Sequence, residues 1–155
     1  RLDRDTEGLL LLTNDGRLSF ALTHPSHQVY KTYLVEISGT PSKKQLEKLS
    51  RGIFLEDGRT LPAEVELIHG GRRALVKITI REGRKRQIRR MFKAIGFSVV
   101  NLKRIKFGPL VLKDLKPGEY RLLKDEEIQK LKELEKSVFE SKEEKSNQRG
   151  DGAGR

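Results

Sequence analysis

The chain has 155 residues, 35% of them apolar and none of them cysteine, which excludes disulfides and thiolate metal sites and leaves length enough for one domain with a real core. Lys and Arg number 33 against 22 Asp and Glu, a formal charge of +11 that points to a polyanionic partner. No apolar run approaches membrane-spanning length and no signal peptide is visible, so a soluble protein of the reducing cytoplasm is expected.

In chain order, Leu9-Leu10-Leu11-Leu12-Thr13 is an apolar run closed by the turn signal Asn14-Asp15-Gly16, and reads as a buried strand. Arg17 to Leu22 reads as a short helix ended near His24-Pro25. Tyr30 to Ser38 reads as a strand with Tyr33, Val35 and Ile37 on one face and Leu34 on the other. Ser42 and Gln45 have capping-box spacing ahead of Leu46 and Leu49, which predicts a helix stopping near Gly52. Ala63 to Ile68 and Ala74 to Ile80 alternate with period two around Gly70-Gly71, a β-hairpin pattern.

Further along, Ile88, Met91, Phe92 and Ile95 fall on one helical stripe ended by Gly96, so the surrounding Arg and Lys residues project from the other faces. Residues 97–112 read as two strands broken at Gly108-Pro109. Asp125-Glu126-Glu127 opens a last helix carrying Ile128, Leu131, Leu134 and Val138, its acids suiting the positive end of the helix dipole. From about Ser141 the chain has nothing to bury, and residues 138–155 read as a disordered charged tail. The expected fold class is α+β, a mixed, mainly antiparallel sheet with flanking helices.

The excess charge is local. Residues 81–106 hold ten Lys or Arg and one Glu, whereas residues 1–80 hold twelve basic and ten acidic side chains and residues 107–155 eleven of each. A solvated helix face would carry interspersed Glu, as the rest of this chain does, so the concentration reads as a nucleic-acid patch. Catalytic sets of the common kinds are absent. His24-x-x-His27 beside Pro25 reads as a surface turn, His69 stands alone at the hairpin, and no metal or phosphate-binding loop is expected.

Four ordered blocks carry a further signal. Arg1-Leu2-Asp3-x-x-Thr6-x-Gly8-Leu9-Leu10-Leu11-Leu12-Thr13-Asn14-Asp15-Gly16 resembles the catalytic motif of the RsuA/RluB family of ribosomal RNA pseudouridine synthases. His24-Pro25-Ser26 leading to Lys31-x-Tyr33-x-Val35, the stretch from Glu82 to Met91, and Leu115-x-Pro117-Gly118-Glu119-Tyr120-Arg121 agree with the same family in the same order. The resemblance covers about residues 1 to 130, and four blocks in order make it highly specific.

The resemblance implies an aspartate nucleophile at Asp3, an active-site tyrosine at Tyr33, and at Arg89 the basic residue that pairs with the aspartate. It places Ile88 beneath the substrate base. Taken as isolated residues, Asp3 reads as a cap or half of a surface ion pair, Tyr33 as a half-buried strand aromatic and Arg89 as one more phosphate contact. The implied reaction breaks the bond from ribose to the base nitrogen, turns the uracil and rejoins it through carbon, so no cofactor is needed. A carboxylate attacks either ribose or uracil and must be ionised, which a permanently charged arginine favours. Tyr33 is placed as acceptor or positioner for the proton leaving the new carbon bond. The target base must leave the RNA stack. Arg84, Lys85, Arg86 and Arg90, with Lys103, Arg104 and Lys106, are expected to hold flanking phosphates, contacts blind to sequence. Arg1, Thr6 and Lys31 complete the expected substrate-binding set.

The chain begins at Arg1, and Met91 is its only methionine, so it is expected to be a piece of something longer. On this reading residues 1–137 are an N-terminally truncated catalytic domain, lacking the family's N-terminal RNA-binding domain, and the piece alone is weakly active or inactive. Thr13-Asn14-Asp15-Gly16 and His24-Pro25-Ser26 lean towards large-subunit enzymes. Composition alone favours a different reading, a non-catalytic basic ribosomal-RNA-binding or ribosome-assembly module, which leaves the matched motifs around Asp3, Tyr33 and Arg89 unexplained. A membrane-surface helix is a third, weakened because the apolar stripe of residues 86–96 suits a core.

Overall fold

A computed structural model describes the backbone of residues 1–150 and the side chains of residues 1–147. The chain forms two compact units, one of residues 1–11 and 28–120, the other of residues 12–27 and the chain from Arg121 onward.

The first unit is built on a sheet of β1 (Glu7–Gly8), β2 (Lys31–Ser38), β5 (Glu64–His69), β6 (Arg73–Ile80), β7 (Val99–Phe107) and β8 (Leu110–Val111). Its order is β1-β7-β2-β6-β5, with β8 on β7. Every pairing is antiparallel except that of β1 with β7. The period-two patterns read from the sequence explain this arrangement. Val35, Ile37, Ala74, Val76, Ile78 and Leu102 project to one face and are buried there. A short hairpin of β3 (Phe54–Leu55) and β4 (Gly58–Arg59), not anticipated from the sequence, lies apart from the main sheet.

Two helices belong to this unit. Helix α2 (Lys43–Arg51) starts at the expected capping box, with Ser42 and Gln45 satisfying each other's backbone amides, and ends at Gly52. Helix α3 (Gln87–Ala94) buries Ile88, Met91 and Phe92 in the core cluster, as its stripe predicts. It opens at Arg86, which has φ 51° and no side-chain cap, a left-handed conformation uncommon for a residue with a side chain.

Leu9–Thr13 is not the buried strand expected. The strand ends at Gly8, and Leu10 and Leu12 are 47% and 80% exposed. The reason is local: the Leu9 amide donates to the Arg104 carbonyl at 2.8 Å, and the Leu9 carbonyl then accepts from Nε of the Arg104 side chain at 2.9 Å. A side chain thus takes the acceptor that a continuing ladder would use.

The second unit pairs α1 (Gly16–Thr23) with α4 (Asp125–Gly150). Asp15 caps α1 through the amides of Arg17 and Leu18. Ala21, Leu22 and Leu131 are buried, and Arg17 pairs with Glu135 at 3.0 Å. His24 to His27 form the expected surface turn, with Pro25–His27 as a single 3-10 turn.

Helix α4 continues past Val138 to Gly150, where disorder from 138 was expected; residues 151–155 lie outside the described residues. Phe139 anchors the extension. Its ring stacks on Phe20 with centroids 6.2 Å apart and receives Arg17 at 4.2 Å, and Lys142 lies 4.5 Å over Phe20. A Lys136–Glu140 pair adds support on the helix surface.

Candidate active site

Asp3 stands at the head of a turn closed by the Thr6 amide, which donates to the Asp3 carbonyl at 3.0 Å. The turn feeds into Gly8, where the parallel pairing with β7 sets Gly8 against Arg104. Gly8 has φ +105°, and a side chain there would run into the Arg104 backbone. Glycine is therefore required where the Asp3 segment enters the sheet. The Thr6 hydroxyl is buried with no hydrogen-bond partner.

On the neighbouring strand, Lys31 and Tyr33 share the core-side face with Val35. Lys31 is half-buried, and its Nζ donates to the Glu82 carbonyl at 3.3 Å. Burial, then the nearby Arg104 charge, lowers the Lys31 pKa, against a smaller opposing pull from Glu82. Tyr33 lies opposite Arg104 in register. Burial raises the Tyr33 pKa, and the Arg104 charge and hydrogen bond only partly counter it, while the Asp3 charge adds to the rise. At neutral pH Tyr33 is a phenol.

The basic segment forms a closed loop ahead of α3. Gln87, 4% exposed, donates to Glu82 Oε1 at 2.7 Å and accepts from the Arg84 amide at 3.1 Å. Glu82 Oε1 also accepts from the Leu61 amide at 2.9 Å. Its other oxygen pairs with Arg84 at 3.3 Å.

The arginines around this loop are already engaged. Arg86 grips Asp5 through two parallel hydrogen bonds of 3.1 and 3.0 Å. Arg89 reaches the Asp5 carbonyl at 2.8 Å and its carboxylate at 3.4 Å. Arg90 holds Asp57 at 2.7 and 3.1 Å, and Arg84 meets Asp57 at 3.5 Å and the backbone carbonyls of Gly58 and Arg59 at 3.0 and 2.6 Å. The Arg90 hydrogen bonds hold the Asp57 pKa down to about 2. The Arg86 hydrogen bonds likewise lower that of Asp5.

The expected site residues are therefore partly brought together and partly reassigned. Arg86 and Arg89 tie Asp5, in the turn that Asp3 heads, to the start of α3, and Gly8 and Tyr33 both lie opposite Arg104 of β7 in register. The carboxylate paired with Arg89 is that of Asp5, not Asp3, because Arg86, just before α3, and Arg89, in its first turn, close together on Asp5. Ile88 is 4% exposed and packs in the core. Arg104, expected on the surface as a phosphate contact, is 3% exposed, while Lys103 projects from the opposite face of β7 by strand alternation. Lys85 and Arg1 are exposed.

Asp5, Asp57, Glu82 and Gln87 were missed. Only Glu82 and Gln87 left a signal, their five-residue spacing around the loop; the Asp5 and Asp57 pairings join segments far apart in the chain. Among the described residues no group of three or more His, Cys, Asp or Glu side chains is placed to hold a metal ion. No helix among them is long and apolar enough to cross a membrane.

An acidic turn, a half-buried phenol and an arginine-rich helix start thus share one mixed sheet. Residues 1–94, more than half of the chain, match the RNA pseudouridylate synthase family, and the chain belongs to that family of isomerases. It is 46% identical over 137 residues to ribosomal large subunit pseudouridine synthase B of Bacillus subtilis (strain 168), covering 86% of this chain and 56% of that protein. It is 47% identical over 136 residues to ribosomal large subunit pseudouridine synthase E of Vibrio vulnificus (strain CMCP6), covering 78% and 58%. A crystal structure of a pseudouridylate synthase superposes with a TM-score of 0.79 at 44% identity, covering 84% of this chain and 56% of that one. The chain thus spans a little over half the length of these relatives, and the resemblance to RsuA/RluB enzymes and the α+β expectation both hold.

Proposed function

We propose that the intact protein carrying this chain converts a uridine of ribosomal RNA, in the large subunit, to pseudouridine, with Asp3 as nucleophile. The Asp3 turn, tied through Asp5 to the arginine-rich start of α3 and through Gly8 to the strand that also pairs with Tyr33, supports this reading, in a chain whose relatives are named as large-subunit synthases. Asp3 is exposed and open to an incoming nucleotide. Attack on ribose or ring releases the base nitrogen from the sugar. The uracil turns, its ring carbon bonds to the sugar, the aspartate is released, and the hydrogen on that carbon leaves as a proton while the freed nitrogen gains one.

Arg89 acts on the nucleophile through the turn it anchors at Asp5. Arg86 supplies the nearer positive field to Asp3. Tyr33, a neutral phenol, positions the base in the ground state and is not a resident base. Lys85, Lys103, Lys106 and Arg1 are the exposed or half-exposed cations for phosphates. Arg84 and Arg90 join them by exchanging carboxylate for phosphate partners, while Arg86 stays on Asp5. Neither cofactor nor membrane enters the scheme, and its setting is the cytoplasm with the ribosomal RNA.

The choice of substrate is tested by incubating each ribosomal RNA with the intact protein and mapping new pseudouridines by carbodiimide-dependent primer extension. A single new stop in large-subunit RNA is expected. Stops confined to small-subunit RNA would reverse the assignment, and binding without any new stop would favour the non-catalytic module.

A further inference from the structure

The β3–β4 hairpin lies outside the main sheet, and the strand period of two decides which of its side chains face solvent. Ile53 and Leu55 pack against the core cluster, so Phe54 between them points outward and is 77% exposed. Arg59 lies directly opposite Phe54 in register, and its guanidinium sits over the Phe54 ring, 5.6 Å from the centroid. Among the described residues Arg59 has no carboxylate within ion-pairing distance, and its guanidinium donates to the Arg51 carbonyl at 3.3 Å.

Single exposed apolar side chains are common and need no function. Phe54 differs in how firmly its hairpin is held and by what. The Thr60 amide donates to the Ile53 carbonyl at 2.8 Å and the Ile53 amide to the Thr60 hydroxyl at 2.9 Å, closing the hairpin's base. Arg84 donates to the Gly58 and Arg59 carbonyls at 3.0 and 2.6 Å. At the turn Arg90 grips Asp57. The bonds to backbone do not involve Asp57, so the hairpin keeps its place when Arg90 turns to a phosphate. Through Arg86 and Arg89 the same basic segment holds Asp5, in the turn that Asp3 heads. An open aromatic ring and an unpaired cation are thus fixed to the arginine-rich start of α3.

A planar apolar face among arginines fits one class of partner. An unpaired nucleobase offers a π-face to an aromatic side chain, and its flanking phosphates match the cations. We propose that the β3–β4 hairpin is a stacking platform for an unpaired RNA base, with the Phe54 ring beneath the base and Arg59 on the adjoining phosphate. The proposal rests on the synthase reading above and gives that enzyme a contact with single-stranded RNA beyond the target nucleotide. Stacking is blind to base identity, so the platform selects unpaired RNA rather than a sequence.

The test measures the affinity of the intact protein for single-stranded oligouridylate, and for the same strand paired with oligoadenylate, across a salt series. Phe54→Ala is expected to weaken single-strand binding roughly 5–150-fold, the scale of one lost base stack. The slope of log affinity on log salt should stay the same, and duplex affinity should not move. Arg59→Gln should reduce that slope by about 0.7, the value of one phosphate on a single strand. Phe54→Trp keeps an aromatic face, so it should retain the parent's affinity, and the fluorescence it adds should be quenched by the single strand.

Unchanged single-strand affinity in Phe54→Ala, an equal loss on both RNAs, or an equal loss in Phe54→Trp overturns the proposal. Tritium release from uridine-labelled ribosomal RNA by the parent protein reads the synthase reaction separately. Release with affinities unmoved by Phe54→Ala removes the platform and leaves the synthase. Absence of release with a Phe54 effect on single-strand binding leaves the platform and removes the synthase.

Discussion

Arg86 and Asp5, 81 positions apart in the chain, are joined by two parallel hydrogen bonds of 3.1 and 3.0 Å, and Arg89 closes on the same aspartate through its carbonyl at 2.8 Å. The turn that carries Asp3 is thereby tied to the first turn of α3. An exposed ion pair adds little to global stability, because water and salt screen it. Its consequence is geometric.

Asp5→Asn should leave the melting temperature almost unchanged while lowering turnover several-fold, because Arg86 and Arg89 lose the carboxylate that fixes the Asp3 turn. Thermal unfolding and tritium release on the same preparation check this. Unchanged turnover would show that the turn is held by other means.

Gly8→Ala places a methyl group against the Arg104 backbone at φ +105°. The expected cost is about 1–3 kcal/mol, the range for a strained backbone position, read from urea unfolding. Retained stability with lost activity would mean that the segment detaches from β7 without disturbing the core.

Gln87→Leu removes the buried amide that bonds both Glu82 and the Arg84 backbone. Leaving the Arg84 amide unpaired and removing one donor from Glu82 should cost about 1–3 kcal/mol. Gln87→Glu offers no second donor towards Glu82 and should not rescue. Full stability of the leucine variant would show that the Leu61, Lys31 and Arg84 contacts suffice to hold the loop.

Asp57 gives a pH prediction. Its pKa falls from 3.8 to about 2 in the folded protein, so its contribution to stability is present above 3.8 and is lost as pH drops towards 2. Asp57→Asn should flatten the fall in urea midpoint across that interval and leave neutral pH less affected by acidification. An acid limb of the parent's slope would contradict the assignment.

The fold was largely legible because its strands and helices obey the two periodicities. Val35 and Ile37 alternate with Leu34, and Ile88, Met91 and Phe92 recur on a helical stripe, so burial follows from spacing. Leu9–Leu12 misled because an apolar run says nothing about whether hydrogen-bond partners exist. There the Arg104 side chain ends the ladder. Phe139 escaped notice because a single aromatic outside the stripe finds its partner, Phe20, only once α1 and α4 are paired.

At Asp3 and Tyr33 the sequence offered a motif and no local physical signal for a site. Residue type alone put Arg104 on the surface with its basic neighbours, and strand alternation with Lys103 was the clue that it turns inward. Asp5 and Asp57 left no local trace, since each acquires its role from arginines distant in sequence.

The central claim is that Asp3 breaks the bond between ribose and base. The direct measurement compares tritium release from uridine-labelled large-subunit ribosomal RNA by the intact protein and by its Asp3→Asn variant, with RNA affinity recorded for both. The account predicts release by the parent, none by the variant and equal affinity. Equal release by both would contradict Asp3 as the nucleophile.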